Sequence, residues 1–398
     1  MSLLPCLKIL LLPLTSPLFQ TRLSPLFSRV DFFPSLSVKS TSSFSEAKTL
    51  FLPQEFASHC LPVMGDSAKL SERAALTLRT IPTMTMSRPS NPLTAPPQPL
   101  YPAMSATDRA SARFAVKGNA IITGGAGALA LPTARALLEH GASGIALLDL
   151  KATLVSSHAA IKQLRSDFPE ATIVDLVCDV TSDQVPAVMK AAAIALSSAR
   201  RRTSGSSVQA EPRPARISML LCFAGIVGCY NSLSQTADQF RKVIDVNLTG
   251  AFLCAKAAAQ YMMPPKAGNP VISSPSDMKG GRIVFIASIS GRTVNFPQPQ
   301  AGYNASKAGL LHLKSSLAAE LACYGIRVNS VSPGYMDTVL NAGDNLKNLR
   351  DIWAGRCPMG RMGDVEELTG AVVMLCSERA GSFINGADIV VDGGTTCF

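Results

Sequence analysis

Ala120-Ile121-Ile122-Thr123-Gly124-Gly125-Ala126-Gly127-Ala128-Leu129-Ala130 is the stretch that decides the fold. A short apolar run passes into a glycine-rich turn, and the turn passes into good helix formers as far as His140. Strand, glycine turn and helix in that order are the context a dinucleotide site requires. The glycines let backbone approach a pyrophosphate, which then sits on the helix N-terminus. A glycine cluster alone is weak, because many tight turns look alike. The next apolar run, residues 144–148, ends in Asp149, roughly twenty residues beyond the turn. An acid there accepts the hydroxyls of an adenosine ribose and repels a 2′-phosphate, or else it simply caps the next helix.

Outward from that turn the alternation continues. Residues 172–177, 217–223, 283–286, 327–331 and 389–391 read as strands, and residues 184–198, 237–263, 303–323 and 365–376 as helices. This rhythm predicts an α/β fold: one Rossmann-type, doubly wound parallel sheet of about seven strands with helices on both faces and ligands outside the strand carboxyl ends. Two pieces interrupt it. Residues 199–216 are rich in Arg, Ser and Pro, and residues 264–281 in Pro, Ser and Gly; both read as surface loops within a single domain spanning residues 113–398.

The length of 398 residues alone would suggest more than one domain, and a 47% hydrophobic share supplies a substantial core. The net charge of +10 raises the question of nucleic acid, so its placement matters. Residues 1–112 hold ten basic and six acidic side chains, and residues 199–216 hold five against one, which leaves only +2 for everything else. A near-neutral core argues against a nucleic-acid surface. Ten cysteines without a C-x-x-C pair argue against a zinc site or a disulfide framework and fit a reducing compartment. Residues 1–112, rich in Pro, Ser and Thr, predict a largely disordered extension. It reads equally as a transit peptide, a weak signal peptide around residues 9–14, or an upstream extension of the gene, with Met84, Met86 and Met104 as internal starts. No run approaches the ~18 apolar residues of a membrane span. A cytoplasmic protein is expected, or a mitochondrial one through that extension.

The chemistry is expected in Tyr303-Asn304-Ala305-Ser306-Lys307. A Tyr and a Lys four apart share one helix face. An unperturbed phenol has a pKa of about 10, and an ammonium one turn away favours the phenolate, which suits proton transfer at an alcohol or carbonyl oxygen. Taken alone, the pair also reads as a surface aromatic beside a solvated lysine.

Together these features resemble the classical short-chain dehydrogenase/reductase family over residues 113–398. The resemblance rests on the turn at residues 123–130, on Asp149 and Asp179, on Ala224-Gly225, and on Asn247 within Val246-Asn247-Leu248-Thr249-Gly250. It continues through Ser288, Tyr303 and Lys307, then Pro333-Gly334 with Thr338, then Gly360-Arg361-Met362-Gly363, and ends at Val391-Asp392-Gly393-Gly394. It implies nicotinamide-dependent hydride transfer. Tyr303 would be the general acid in reduction and the base in oxidation. Lys307 would lower the Tyr303 pKa and hold the nicotinamide ribose, Ser288 would orient the reacting oxygen, and Asn247 would hold a water relay to Lys307. The implied cofactor-binding set is Gly124, Gly127, Leu129, Asp149, Asp179, Ala224, Gly225, Tyr303, Lys307 and Thr338, with Asp179 meeting the adenine and Thr338 the carboxamide. No metal is implied.

Three departures stand out. Ala128 and Ala130 replace the second and third glycines of the family turn, and their methyls lie where backbone nears the pyrophosphate. Cys222-Phe223 stands in place of a bracing Asn-Asn. The serine-to-tyrosine spacing is two longer than usual, which makes Ser290 a rival to Ser288. Asp149, with Lys151 as the nearest base, points to NAD over NADP. The segment Val294-Asn295-Phe296-Pro297-Gln298-Pro299-Gln300 is similar to that of the polyol and ketose branch, which includes sorbose reductases and arabinitol dehydrogenases. Its amides suit a substrate with several hydroxyls, or lie on the outer side of an ordinary turn. A 3-oxoacyl or other secondary-alcohol reductase, and a catalytically silent dinucleotide-binding protein, are the competing readings. Small residues in the helices at residues 251–259 and 305–322 permit close packing, and the resemblance implies that these helices form the interface of a homo-oligomer, tetramer or dimer.

Overall fold

The computed structural model describes residues 81–202, 214–263, 280–338, 341 and 344–398. Chain contacts divide the protein into Met1–Thr80 and Ile81–Phe398, and every described residue belongs to the second unit. The expected targeting stretch, and most of the two inserted loops at residues 199–216 and 264–281, lie outside the described residues.

Seven strands form one all-parallel sheet: β1 (Asn119–Thr123), β2 (Gly144–Asp149), β3 (Thr172–Val177), β4 (Ile217–Cys222), β5 (Arg282–Ile286), β6 (Arg327–Pro333) and β7 (Asp388–Val391). Their order is β3-β2-β1-β4-β5-β6-β7, which makes the sheet doubly wound, as the alternation predicts. The chain builds outward from β1 to β3, then returns to lay β4 against the other side of β1. That reversal opens a crevice at the carboxyl ends of β1 and β4. Register brings Thr123 opposite Cys222, and the Phe223 N–H donates to the Thr123 carbonyl (2.9 Å), so the two strand ends are tied where the crevice begins.

The strands carry near-continuous apolar runs because both sheet faces are covered. Successive side chains point to opposite faces. Ile122 and Leu147 pack with α2 (Ala130–Glu139) and α10 (Thr369–Cys376), while Ile121 and Phe285 pack with α5 (Val185–Arg202), α7 (Gly250–Met262) and α8 (Ala301–Leu321).

Three departures from the sequence reading have physical causes. The single helix expected over residues 237–263 is α6 (Ala237–Ile244), a π-helical turn at Asp245–Thr249, and α7. Such a turn inserts one extra residue and re-aims the side chains inside it, and π turns are frequent at functional sites. The crossover from β2 to β3 contains α3 (Lys151–Ser156) and α4 (His158–Asp167), too short and polar for periodicity to mark them, and α9 (Lys347–Gly355) likewise escaped the pattern. Finally, the expected extension ends in ordered structure. Residues Ala106–Phe114 form α1, capped by Ser105 Oγ accepting from the Asp108 N–H (3.1 Å). Asn91 Nδ2 donates to the Cys323 carbonyl (2.8 Å), the Arg379 guanidinium donates to the Gln98 carbonyl, and Ser377 Oγ donates to the Arg113 carbonyl (2.9 Å). Among the described residues no helix is long and apolar enough to cross a membrane.

Candidate active site

Helix α8 carries Tyr303 and Lys307 one turn apart, beside the carboxyl end of β5. Lys307 is only 5% exposed; its Nζ donates to the Ile286 carbonyl (2.7 Å) and lies 5.6 Å from the Tyr303 ring centroid. Burial pulls the ammonium down to about 8, with the neighbouring Cys222 acting the other way. The Tyr303 phenol is pushed up to about 12, chiefly by burial. A hydrogen bond with Ser288 draws it back, while Tyr335 and Cys229 add to the rise. Burial therefore dominates the net shift at Tyr303. Spacing shows that the two groups meet, whereas desolvation decides where each titrates.

Ser288 follows β5 in extended backbone. Its hydroxyl meets the Tyr303 phenol, donates to Ser290 Oγ (3.0 Å) and accepts from the Ser290 N–H (3.1 Å). The structure thus brings Ser288 to the tyrosine and sets Ser290 as its support. The loop is anchored to β7 by Arg292, whose guanidinium pairs with Asp388 (2.7 Å). Asp388 in turn accepts from the hydroxyls of Ser330 (2.6 Å) and Ser332 (2.9 Å) on β6.

Asn247 sits in the π turn, 1% exposed. Its Oδ1 accepts from the Ile226 N–H (2.8 Å), and its Nδ2 donates to the Ile226 carbonyl and to Ser306 Oγ (both 3.0 Å). Ser306 Oγ then donates to the Tyr303 carbonyl (2.7 Å). Both amide hydrogens are taken, so the side chain clamps the loop after β4 onto α8. A Cβ on Gly225 would lie 3.3 Å from Asn247 Oδ1 and 3.7 Å from Lys307 Nζ, which places these three residues together. Ser306 was not singled out in the sequence, although it lies inside the Tyr303–Lys307 stretch.

At the other end of the crevice, the retained glycines stand where side chains do not fit. Gly124 has φ +63°, and a Cβ there would come within 2.6 Å of the Ala224 nitrogen. A Cβ on Gly125 would come within 2.6 Å of the Ile122 carbonyl oxygen. Gly127 receives the Ala130 and Leu131 N–H groups on its carbonyl (both 3.1 Å). Ala130, at the third glycine position, is 1% exposed and packs its methyl into the core rather than toward the crevice. Leu129 precedes α2 and offers no side-chain cap, so a ligand anion would meet no competing acceptor there. The Asp149 carboxylate accepts from the N–H groups of Ala126 (3.0 Å) and Leu150 (2.8 Å), which leaves lone pairs on both oxygens. Asp179 accepts from the Thr181 N–H (2.9 Å) and hydroxyl (2.7 Å), and these bonds hold its carboxyl below the usual range. Thr338, half-buried beyond β6, accepts the Asn341 N–H (2.9 Å). Cys222 replaces the missing amide as a thiol bonded to Thr123, and burial pushes it up to about 12, so it stays neutral.

The segment before α8 turns its amides inward. Val294 is 83% exposed, but Asn295 Nδ2 (2.7 Å) and Gln298 Nε2 (2.9 Å) both donate to Tyr335 Oη. Tyr335 stacks on Trp353, with centroids 4.5 Å apart and planes 5° from parallel. Neither aromatic was singled out from the sequence. The available signal was position: Tyr335 directly follows Gly334 at the end of β6, the edge where the other site residues lie. Among the described residues no cluster of His, Cys, Asp and Glu could hold a metal ion.

Comparison with known proteins agrees with this geometry. Residues 118–263 match the model of the KR domain, and residues 207–396 match a model described as enoyl-(acyl carrier protein) reductase. The chain is 34% identical over 283 residues to the ribulose-forming D-arabinitol 2-dehydrogenase of Scheffersomyces stipitis, covering 70% of this chain and 94% of that protein. It is 40% identical over 181 residues to the NADP-dependent mannitol dehydrogenase of Hypocrea jecorina, covering 46% of this chain and 62% of that protein. A solved short-chain type dehydrogenase/reductase from Mycobacterium marinum superposes with a TM-score of 0.58 at 33% identity, covering 72% of this chain and 98% of that one. The chain belongs to the short-chain dehydrogenase/reductase family and is an oxidoreductase acting on CH–OH groups.

Proposed function

We propose that the protein is an NAD-linked oxidoreductase that interconverts a polyol and a ketose, with Tyr303 as its acid–base group. The observation that carries the substrate class is the inward set of Asn295, Gln298 and Tyr335 beside the Tyr303–Ser288 pair. Buried amides and a phenol favour a substrate that brings several hydroxyls and penalise one that leaves them unpaired.

The described side chains fit a dinucleotide. Gly124 and Gly225 line the crevice where a Cβ would intrude, and Asp149 keeps acceptor capacity for ribose hydroxyls. Asp149 also repels a 2′-phosphate, which is the ground for NAD over NADP. Asp179 and Thr338 stand at the two ends as partners for adenine and carboxamide. An ammonium has three donors, and Ile286 takes one from Lys307, so two remain for ribose hydroxyls or water. The nicotinamide ring, when bound, accepts or supplies the hydride.

In reduction, Tyr303 donates its phenolic proton to the carbonyl oxygen while Ser288 hydrogen-bonds that same oxygen and steadies its developing charge. In oxidation the Tyr303 phenolate takes the proton from the alcohol hydroxyl. Charged Lys307 favours the phenolate and so eases both directions. Asn247 keeps Ile226 and α8 in register so that these groups meet. Assembly into a homo-oligomer through α7 and α8 belongs to the same reading.

The test is a panel of polyols and ketoses assayed with both cofactors at the absorbance band of the reduced nicotinamide. Oxidation of polyols with preference for NAD is expected. Reduction of an acyl thioester, with no polyol turned over, would move the assignment to a 3-oxoacyl reductase.

A further inference from the structure

The segment before α8 and the end of β6 meet in a polar knot whose hydrogen bonds do not close. Trp353 Nε1 can only donate, and it donates to Gln298 Oε1 (3.1 Å). That contact fixes which way the Gln298 amide faces, so its Nε2 must point at Tyr335 Oη. Asn295 Nδ2 points at the same oxygen. With two N–H groups arriving, the phenol oxygen has no reason to turn its own hydrogen toward either amide, and that hydrogen is left to donate elsewhere. Asn295 Oδ1, meanwhile, is buried and accepts from no group. Native proteins rarely leave such an acceptor unmatched, and one that persists calls for a partner. The knot therefore offers one O–H donor and one carbonyl acceptor side by side, which is the complement of a single hydroxyl group. Its location fixes whose hydroxyl this is. Tyr335 lies near enough to Tyr303 to act on its titration, and β6 is the neighbour of β5, whose end carries Ser288.

We infer that Tyr335, with Asn295, binds a second hydroxyl of the substrate: Tyr335 Oη donates to it and Asn295 Oδ1 accepts from it, while Gln298 and Trp353 hold the phenol in place. Tyr335 is then a specificity-determining residue, one that separates polyhydroxy substrates from simple secondary alcohols. The inference rests on the polyol reading above and deepens it.

Tyr335→Phe keeps the ring stacked on Trp353 and removes only the donor. In the full-length enzyme with NAD, the KM for D-arabinitol should rise at least about tenfold, the worth of one hydrogen bond to a substrate hydroxyl, with a smaller change in kcat. The dissociation constant for NAD, read from quenching of protein fluorescence, should stay within about threefold. Relative to isopropanol, which carries no second hydroxyl, the kcat/KM for arabinitol should fall by a similar factor. Asn295→Ala removes the acceptor from a different segment and should give the same split, so a poorly folding Tyr335→Phe protein does not end the test. A KM for arabinitol within twofold of wild type in either well-folded variant overturns the inference. So does a loss shared equally by arabinitol and isopropanol, because a merely structural role predicts that result. A wild-type enzyme that oxidises isopropanol and no polyol brings down the functional reading first and this inference with it, a pattern distinct from failure of Tyr335 alone.

Discussion

The two ends of the crevice are built by different means. Around β1, β2 and the turn at residues 123–130 the work falls to main chain: a glycine at φ +63°, strand ends tied by a backbone hydrogen bond, an uncapped helix start and one carboxylate held by two N–H groups. Around β4, β5 and α8 it falls to buried side chains, with Asn247, Ser306, Ser288 and Lys307 each committed to a named partner. Backbone recognition depends on chain path and tolerates side-chain change, which is how Ala128 and Ala130 stand where glycines are usual. A buried polar network is less forgiving, because removing one member leaves the others unsatisfied at about 1–3 kcal/mol each.

Substitutions at the two ends should separate accordingly. The largest effect outside Tyr303 is expected from Lys307→Met, which should lower turnover by about a hundredfold or more in steady-state assays. Its loss should leave NAD binding weakened far less than turnover; an equal loss in both would make the lysine a cofactor anchor only. Next comes Asn247→Leu. It strands the Ile226 N–H and carbonyl, so urea unfolding should report a loss of about 2–4 kcal/mol, and a loss below about 1 kcal/mol would show that the clamp is not structural. Asp149→Ala, at the backbone end, should cost less stability than Asn247→Leu yet shift the NAD-to-NADP ratio of kcat/KM about tenfold or more toward NADP. An unchanged ratio would remove Asp149 from cofactor choice. Smallest is Ala128→Gly, which should tighten dinucleotide binding only about two- to fivefold, read by fluorescence titration.

The titration behaviour of the catalytic end sharpens the contrast further. Lys307 is cationic below about 8 and neutral above, and Tyr303 keeps its proton to about 12. In the proposed mechanism, reduction needs the phenolic proton and benefits from the charged lysine. Its kcat/KM should therefore hold at neutral pH and fall as pH rises through about 8. Lys307→Arg, which stays charged, should move that fall upward. A profile with the same alkaline limb in both enzymes would show that another group sets it.

How far each end could be read from sequence follows the same division. The turn at residues 123–130 was legible because a strand, glycines at a tight turn and a helix follow one another in sequence, and the parallel sheet because its strands are apolar throughout. Tyr303 and Lys307 were legible through helical spacing. The π turn was not, since one inserted residue leaves the apolar pattern of residues 237–263 intact, and only the inward aim of Asn247 betrays it. Nor was the Tyr335–Trp353–Gln298–Asn295 group, which draws on three separate segments that meet only in the fold. The net direction of the Tyr303 shift was not legible, because spacing reports proximity, whereas the burial that dominates comes from packing by elements distant in sequence.

Proton transfer at Tyr303 is the centre of the proposed function, and the paired measurement of turnover and dinucleotide binding in Tyr303→Phe tests it directly. Loss of the hydroxyl should reduce turnover of polyol and ketose by about a thousandfold or more, with NAD affinity within about threefold of wild type. Turnover within about tenfold of wild type, in a variant that still binds NAD, would contradict it.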